Sequence, residues 1–258
     1  MHTAHATRPA PDTPGRANED YVLTGPGWAV VLDGATAPAG VDSGCEHDVP
    51  WLVAHLAAAL ARQLTTRPDT ELTGILATAI RDTMRAHEHT CDLTNPDSPS
   101  STAAIVRERD DMLDYLVLCD SPIAIRRRDG RLLVVDDDRT DHLPGGRPYP
   151  RALVTSLRNQ PGGFWVASTR PDAAEHALTG SLPAADVSGV LMVTDGVSRL
   201  VDWYGHTWEA LVDVAAAEGP ARLVELVRDA ERKHGPREGG KTHDDATAVW
   251  LSRPSGGR

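Results

Sequence analysis

Five short apolar runs in this chain begin or end on acid. Trp28–Leu32 stops at Asp33-Gly34, Tyr115–Leu118 stops at Cys119-Asp120-Ser121, and Val190–Thr194 stops at Asp195-Gly196. In the opposite sense, Glu19-Asp20 opens Tyr21–Leu23, and Asp244-Asp245 opens Ala246–Leu251. Runs of this length, rich in Val, Leu, Tyr and Trp, read as strands. If the strands that begin with acid run antiparallel to those that end with it, all these carboxylates meet at one edge. The first pair permits a check: a hairpin turn centred between Pro26 and Gly27 places Asp20 opposite Asp33.

A lone Asp-Gly after a strand is usually a turn, and Asp129-Gly130, between Ile123–Arg127 and Arg131–Val135, reads as one. Convergent acids need a stronger reason, because like charges repel and resist desolvation. A multivalent cation supplies it. Oxygen-only ligands favour Mg²⁺ or Mn²⁺ over zinc or copper. Glycine after the aspartate lets a backbone carbonyl approach the ion. A pair of such ions can activate a water for attack on phosphorus.

The remainder of the chain bounds the fold. Helical periodicity covers Val49–Leu64 and Leu72–Glu88, then Thr207–Ala217 and Pro220–His234, with a shorter Asp172–Leu178. Helices in pairs and strands in consecutive hairpins, with Phe164–Ala167 as a further strand, predict an α+β fold of antiparallel sheets covered by helices. With 258 residues, 40% of them hydrophobic, a single domain over residues 15–252 is expected. The polar, Pro-rich residues 1–14 and the end, 253–258, are expected as flexible tails.

Charge and cysteine usage narrow the partners. A net charge of −11 argues against a nucleic-acid footprint. No apolar leader or spanning stretch is visible, so no membrane partner and a cytoplasmic location are expected. Cys45, Cys91 and Cys119 are sparse and lack a C-x-x-C pair, which argues against a disulfide. His87-Glu-His89-Thr-Cys91 reads as a helix end with surface histidines, and Cys45-Glu-His47-Asp48 as a helix start capped by Asp48. Oligomeric state is not legible.

The ordered motifs resemble the PPM family, the PP2C-type metal-dependent Ser/Thr protein phosphatases. Arg16-Ala-Asn-Glu-Asp20 resembles its opening R…NED element, Asp33-Gly34 its DG, and Ser101-Thr102-Ala103 its central S-T-A. Asp120-Ser121 resembles the DS of GDSR, Asp141-His142 the later DH, Thr194-Asp195-Gly196 the SDG, and Asp244-Asp245-Ala246-Thr247 the closing D-N/D-x-T. The likeness spans about Arg16 to Leu251.

The resemblance implies an αββα sandwich with two Mg²⁺ or Mn²⁺ ions at one edge. Asp33 would bridge them, Asp195 and Asp244 would hold the first, and the Gly34 carbonyl the second. Glu19 would act through water, Asp20 would support that shell, and Asp120 would touch a third, weaker ion. Arg16 would bind the substrate phosphate in a bidentate fork. Water activated by the ions would then hydrolyse a phosphoprotein without a phosphoenzyme. A small phosphorylated molecule is the alternative substrate, and a phosphoprotein-binding pseudophosphatase the alternative function. Departures mark a divergent branch: DGxGG is here Asp33-Gly34-Ala35-Thr36-Ala37, and in GDSR the Gly is Cys119 and the Arg is Pro122.

Overall fold

The computed structural model describes residues 1–11, 15, 17–35, 40–236 and 241–253. Its elements run β1 (His2–Arg8), β2 (Tyr21–Gly25), β3 (Trp28–Leu32), β4 (Gly34–Ala35), α1 (Val49–Thr66), α2 (Leu72–His87), β5 (Ser100–Ser101), β6 (Ala103–Arg109), β7 (Met112–Leu118), β8 (Ile123–Arg127) and β9 (Leu132–Val135). Then follow α3 (Arg151–Leu157), β10 (Leu178–Pro183), β11 (Val187–Val193), α4 (Asp195–Asp202), α5 (Trp208–Ala217), α6 (Pro220–His234) and β12 (Ala246–Ser252). One antiparallel sheet has the order β1-β12-β11-β8-β9 and the other β10-β7-β6-β3-β2, with β4 and β5 forming a short third pair.

Alternation along the strands builds three apolar layers. On β3, Ala29 and Val31 face the β1-β12-β11-β8-β9 sheet, while Val30 and Leu32 face α1 and α2. On β11, Val190 and Met192 enter the same central layer, while Leu191 and Val193 pack under α4, α5 and α6. The result is helix, sheet, sheet, helix: the αββα sandwich that the resemblance implies. The first hairpin has the expected register. Tyr21 pairs with Leu32 and Gly25 with Trp28, and the Gly34 amide donates to the Glu19 carbonyl at 3.1 Å.

Several expectations are corrected. Residues 2–8 are no flexible tail: β1 pairs with β12 from His2↔Ser252 to Arg8↔Ala246. The edge groups of β12 need partners, and a polar strand serves because most of β1 faces solvent. Beyond it, Asp245 Oδ1 accepts from the Ala10 amide at 2.8 Å. At the other end Arg253 is described and ion-pairs with Glu108, while 254–258 lie outside the described residues. Phe164–Ala167 makes only isolated bridges, Arg158↔Phe164 and Ser101↔Ala167. The predicted helix Asp172–Leu178 is a 3₁₀ turn over Pro171–His176, and Leu178 instead starts β10, an edge strand without a long apolar run.

The cysteine reading is also overturned. Cys45 and Cys91 form a disulfide with their Cα atoms 4.2 Å apart. The α1–α2 hairpin brings together residues 46 positions apart, which spacing alone could not reveal. His87 is buried rather than a surface histidine.

The two Asp-Gly steps decide how the sheet edges meet. A Cβ on Gly34 would stand 2.3 Å from Val49 Cγ1 and 2.7 Å from the Glu19 carbonyl oxygen. A Cβ on Gly196 would stand 1.8 Å from the Asp245 carbonyl oxygen. Each glycine therefore lets the strand that ends on acid touch the one that begins with acid. Gly196→Ala has only backbone to push against and is expected to destabilise by about 3 kcal/mol, the upper range for overpacking. Thermal unfolding checks it: for a domain of this size the midpoint falls by roughly 6–12 °C.

Candidate active site

The site is framed by hydroxyls from the short motifs. The Thr102 amide donates to the Asp33 carbonyl at 2.8 Å, and the Asp33 amide donates back to Thr102 Oγ1 at 3.1 Å. Thr102 Oγ1 lies 2.7 Å from Ser121 Oγ, which ties the S-T-A and Asp120-Ser121 segments together. On the other sheet, the Thr194 amide donates to the Thr247 carbonyl and the Thr247 amide to Thr194 Oγ1, both at 3.1 Å. Thr194 Oγ1 then donates across to Asp20 Oδ2 at 2.9 Å. These bonds lock the residues beside each acid, so the carboxylates project from rigid backbone.

Asp33, Gly34, Asp120, Asp195 and Asp244 line one cavity of about 480 Å³. Their electrostatics confirm the crowding. Burial, then Asp20, Asp195, Asp244 and Asp120, push the Asp33 carboxyl well above the usual range. Burial and the charges of Asp244 and Asp120 push Asp195 up to about 7. Asp20 is pushed up to about 8 by burial and by Asp245 and Asp195, although hydrogen bonds from Thr247 and Thr194 pull the other way. Burial also raises Asp120, which accepts from Thr140 Oγ1 at 3.1 Å.

Of the residues singled out in the sequence, Asp33, Gly34, Asp120, Asp195 and Asp244 share the cavity. Glu19 and Asp20 are buried beside it through the β2–β3 pairing. Arg16 lies outside the described residues. Asp245 has a different task from its neighbour: its Oδ2 accepts from the Glu19 amide at 2.6 Å, so it holds the first acidic segment in place.

The donors suit hard divalent cations. They are carboxylates and a carbonyl, and Asp20 Oδ1 is buried with no hydrogen-bond partner among the described residues. Clustered acids that hold each other in the protonated range are what a bound cation would relieve.

Sequence reasoning missed four groups here. Arg199 donates to Asp244 Oδ2 at 3.2 Å and to Glu231 at 3.1 Å, with Trp203 stacked 4.6 Å from its guanidinium carbon. Lys241 reaches Asp244 at 3.1 Å. Asp136 is pushed up to about 7 by burial and by Asp202 and Asp120, and lines an adjoining acidic cavity of about 550 Å³. Arg158 is drawn into the cavity wall, where it donates to the Ser98 carbonyl at 2.6 Å and Ser168 Oγ at 3.1 Å. Lys241 lies three residues before Asp244 and Arg199 four residues after Asp195 on α4, which are usable signals; Asp136 and Arg158 come from segments that the acidic motifs do not cover.

One departure from the motif acquires a physical account. Cys119, at the position of the GDSR glycine, takes the left-handed backbone conformation that glycine favours, with φ 66°. Its amide is held by Asp137 Oδ2 at 2.9 Å, and its side chain packs with Leu143, Phe164 and Val166.

No curated protein matches the chain by sequence. Solved structures match it along nearly their whole length. The catalytic domain of the serine/threonine phosphatase PstP, in complex with two manganese ions, is 20% identical, with 97% of each chain covered and a TM-score of 0.61. The PPM Ser-Thr phosphatase MsPP from Mycobacterium smegmatis is 19% identical, with 98% of each chain covered and a TM-score of 0.62. The serine/threonine phosphatase Stp1 from Staphylococcus aureus is 13% identical, covering 99% of this chain and 96% of its own, with a TM-score of 0.62. At such identities these likenesses establish the fold. The family follows from its sequence model, Protein phosphatase 2C, which matches residues 14–228; with its motifs in order and its acids gathered at one edge, the chain belongs to the protein phosphatase 2C family.

Proposed function

We propose that this chain is a serine/threonine protein phosphatase that works with two divalent cations, Mg²⁺ or Mn²⁺. The convergence of Asp33, Asp195 and Asp244 on one cavity carries the reading. Asp33, Asp195 and Asp244 would hold the ions with the Gly34 carbonyl, Glu19 and Asp20 would orient the surrounding water, and Asp120 with Asp136 would serve a third ion. When bound, the ions supply an activated water and stabilise the charge that develops on phosphorus. The chain's own residues do the rest. Thr102 and Thr194 fix the backbone that carries the acids. The apolar walls, Val154, Phe164 and Val166, exclude water from one side of the cavity. Arg16 would bind the phosphate oxygens. Phosphoprotein substrates accord with the family and with the protein phosphatases that share the fold.

A second reading, a phosphoprotein-binding pseudophosphatase, is favoured by one observation: two protein cations already sit on Asp244. Metal-dependent turnover decides between the readings. Hydrolysis of a phosphothreonine peptide is expected to need Mn²⁺ or Mg²⁺ and to stop in EDTA. Asp33→Asn is expected to lower kcat by at least about a hundredfold, because a metal supplies several kcal/mol of charge stabilisation. Activity in metal-free buffer, or a near-normal kcat in Asp33→Asn, would overturn the proposal.

Arg16 separates phosphate from metal. Arg16→Ala is expected to lower kcat/KM by roughly 10- to 150-fold, the value of a charge-assisted hydrogen bond, with Mn²⁺ affinity unchanged. Kinetics and a Mn²⁺ titration on the same variant check it.

The raised carboxyls also give a stability prediction with a definite sign. A carboxyl whose folded pKa exceeds its unfolded value binds protons more tightly when folded, so its contribution is complete below the unfolded pKa and is lost as pH rises through the folded one. For Asp195, raised to about 7, and Asp20, raised to about 8, the loss spans the range from the ordinary carboxylate pKa up to those values. Without divalent cations the unfolding midpoint is therefore expected to fall between about pH 5 and pH 8. Saturating Mn²⁺ should flatten or reverse that slope by binding the ionised cluster. Thermal scans at both pH values, with and without Mn²⁺, test it.

A further inference from the structure

The loop before α1 meets the end of α2 and the residues that follow it. Cys45 and Cys91 face each other there as an isolated antiparallel bridge, and His87, the last residue of α2, closes the third side. The two sulfurs and a ring nitrogen of His87 all lie within 4.8 Å of one another. His87 Nδ1 is 3.4 Å from Cys45 Sγ. Tetrahedral zinc, with bonds of about 2.3 Å to sulfur and about 2.0 Å to nitrogen, sets those two donors roughly 3.5 Å apart.

His87 is only 2% exposed, and its Nε2 has no hydrogen-bond partner among the described residues. Nδ1 is thus the ring nitrogen turned to sulfur, and a neutral ring that ligates through it carries its proton on Nε2. A buried imidazole with a ring nitrogen set beside two sulfurs has the donors of a thiophilic cation site. Burial and the nearby His47 and His55 disfavour the charged form of the ring. Neutral imidazole is the ligating form.

We propose that Cys45, His87 and Cys91 form a binding site for a thiophilic divalent cation of the zinc class, separate from the oxygen-lined centre. The ligand sets divide the metals: two sulfurs and an imidazole select zinc, and carboxylates select Mg²⁺ or Mn²⁺. Loading requires both sulfurs as thiolates, so the Cys45–Cys91 bond is first reduced. A phosphine supplies the two electrons and takes the oxygen of one water; that water's two protons pass to the sulfurs and are displaced when the cation binds. The cation then braces what the bridge braces. The Asp92 amide donates to the Gly44 carbonyl at 2.7 Å, Asn95 Nδ2 donates to the Asp42 carbonyl at 3.1 Å, and Asp48 caps α1, whose Val49 packs on Gly34.

The test uses the full chain, reduced with a phosphine, in excess Mg²⁺ to occupy oxygen sites, and titrated with Co²⁺ and then Zn²⁺. About one Co²⁺ per chain is expected, with thiolate-to-cobalt charge-transfer absorption that Zn²⁺ abolishes by displacement. Cys45→Ser and Cys91→Ser should lose the band, and His87→Gln should weaken binding at least about tenfold. Asp33→Asn should keep the band, so failure of the phosphatase reading and failure of this one are distinguishable. A reduced wild-type chain without the band would overturn the proposal whether or not the cysteine variants fold. A band that survives unchanged in Cys91→Ser or His87→Gln would overturn it as well.

Discussion

Everything at the functional edge depends on repulsion among carboxylates that the fold holds together and away from water. Buried acids of like charge can be tolerated by protonation, by borrowed cations, or by a bound metal. This site is arranged for the first two. Asp33, Asp195 and Asp20 are all displaced toward the protonated range, with burial as the leading cause and the charge of neighbouring carboxylates behind it. Asp244 instead takes Arg199 and Lys241. The energy that keeps this arrangement must come from elsewhere, namely the three apolar layers between and outside the sheets.

The layers would not align the acids without the glycines and hydroxyls at the strand ends. Gly34 and Gly196 remove the side chain where the acidic segments of opposite polarity touch backbone to backbone. Thr102, Ser121, Thr194 and Thr247 then satisfy the polar groups that such close contact buries. The short motifs are thus mainly a construction kit: their acids face the cavity, and their small or hydroxylated neighbours hold those acids in register.

That division explains what could be read from the sequence. The acids at strand ends, the β2–β3 register, the Asp48 cap and the Pro220–His234 helix follow from local pattern, and the structure repeats them. The order of motifs supplied the family. Features that depend on distant partners did not show. The strand β1 has no apolar run, because its role is to pair the edge of β12. The Asp195–Asp202 helix was hidden behind the strand that precedes it, since one apolar run ends where the next element's first residue is already an acid. The Cys45–Cys91 pair, Arg199 and Asp136 become meaningful only when the helices and sheets are assembled.

The two cations on Asp244 differ in a way that bears on how the centre could fill. Arg199 is 3% exposed, fixed by Glu231 and by the face of Trp203, so leaving would strand a buried charge. Lys241 is 65% exposed on a flexible stem, and its ammonium can return to water at little cost. An incoming cation at Asp244 would therefore displace the lysine and keep the arginine as a fixed positive neighbour. Such a neighbour weakens the attraction of that carboxylate for metal while orienting it through a charge-assisted hydrogen bond. A ligand tuned this way would hold an ion less tightly than an isolated carboxylate, and the clustered acids around Asp33 would have to supply the remaining attraction.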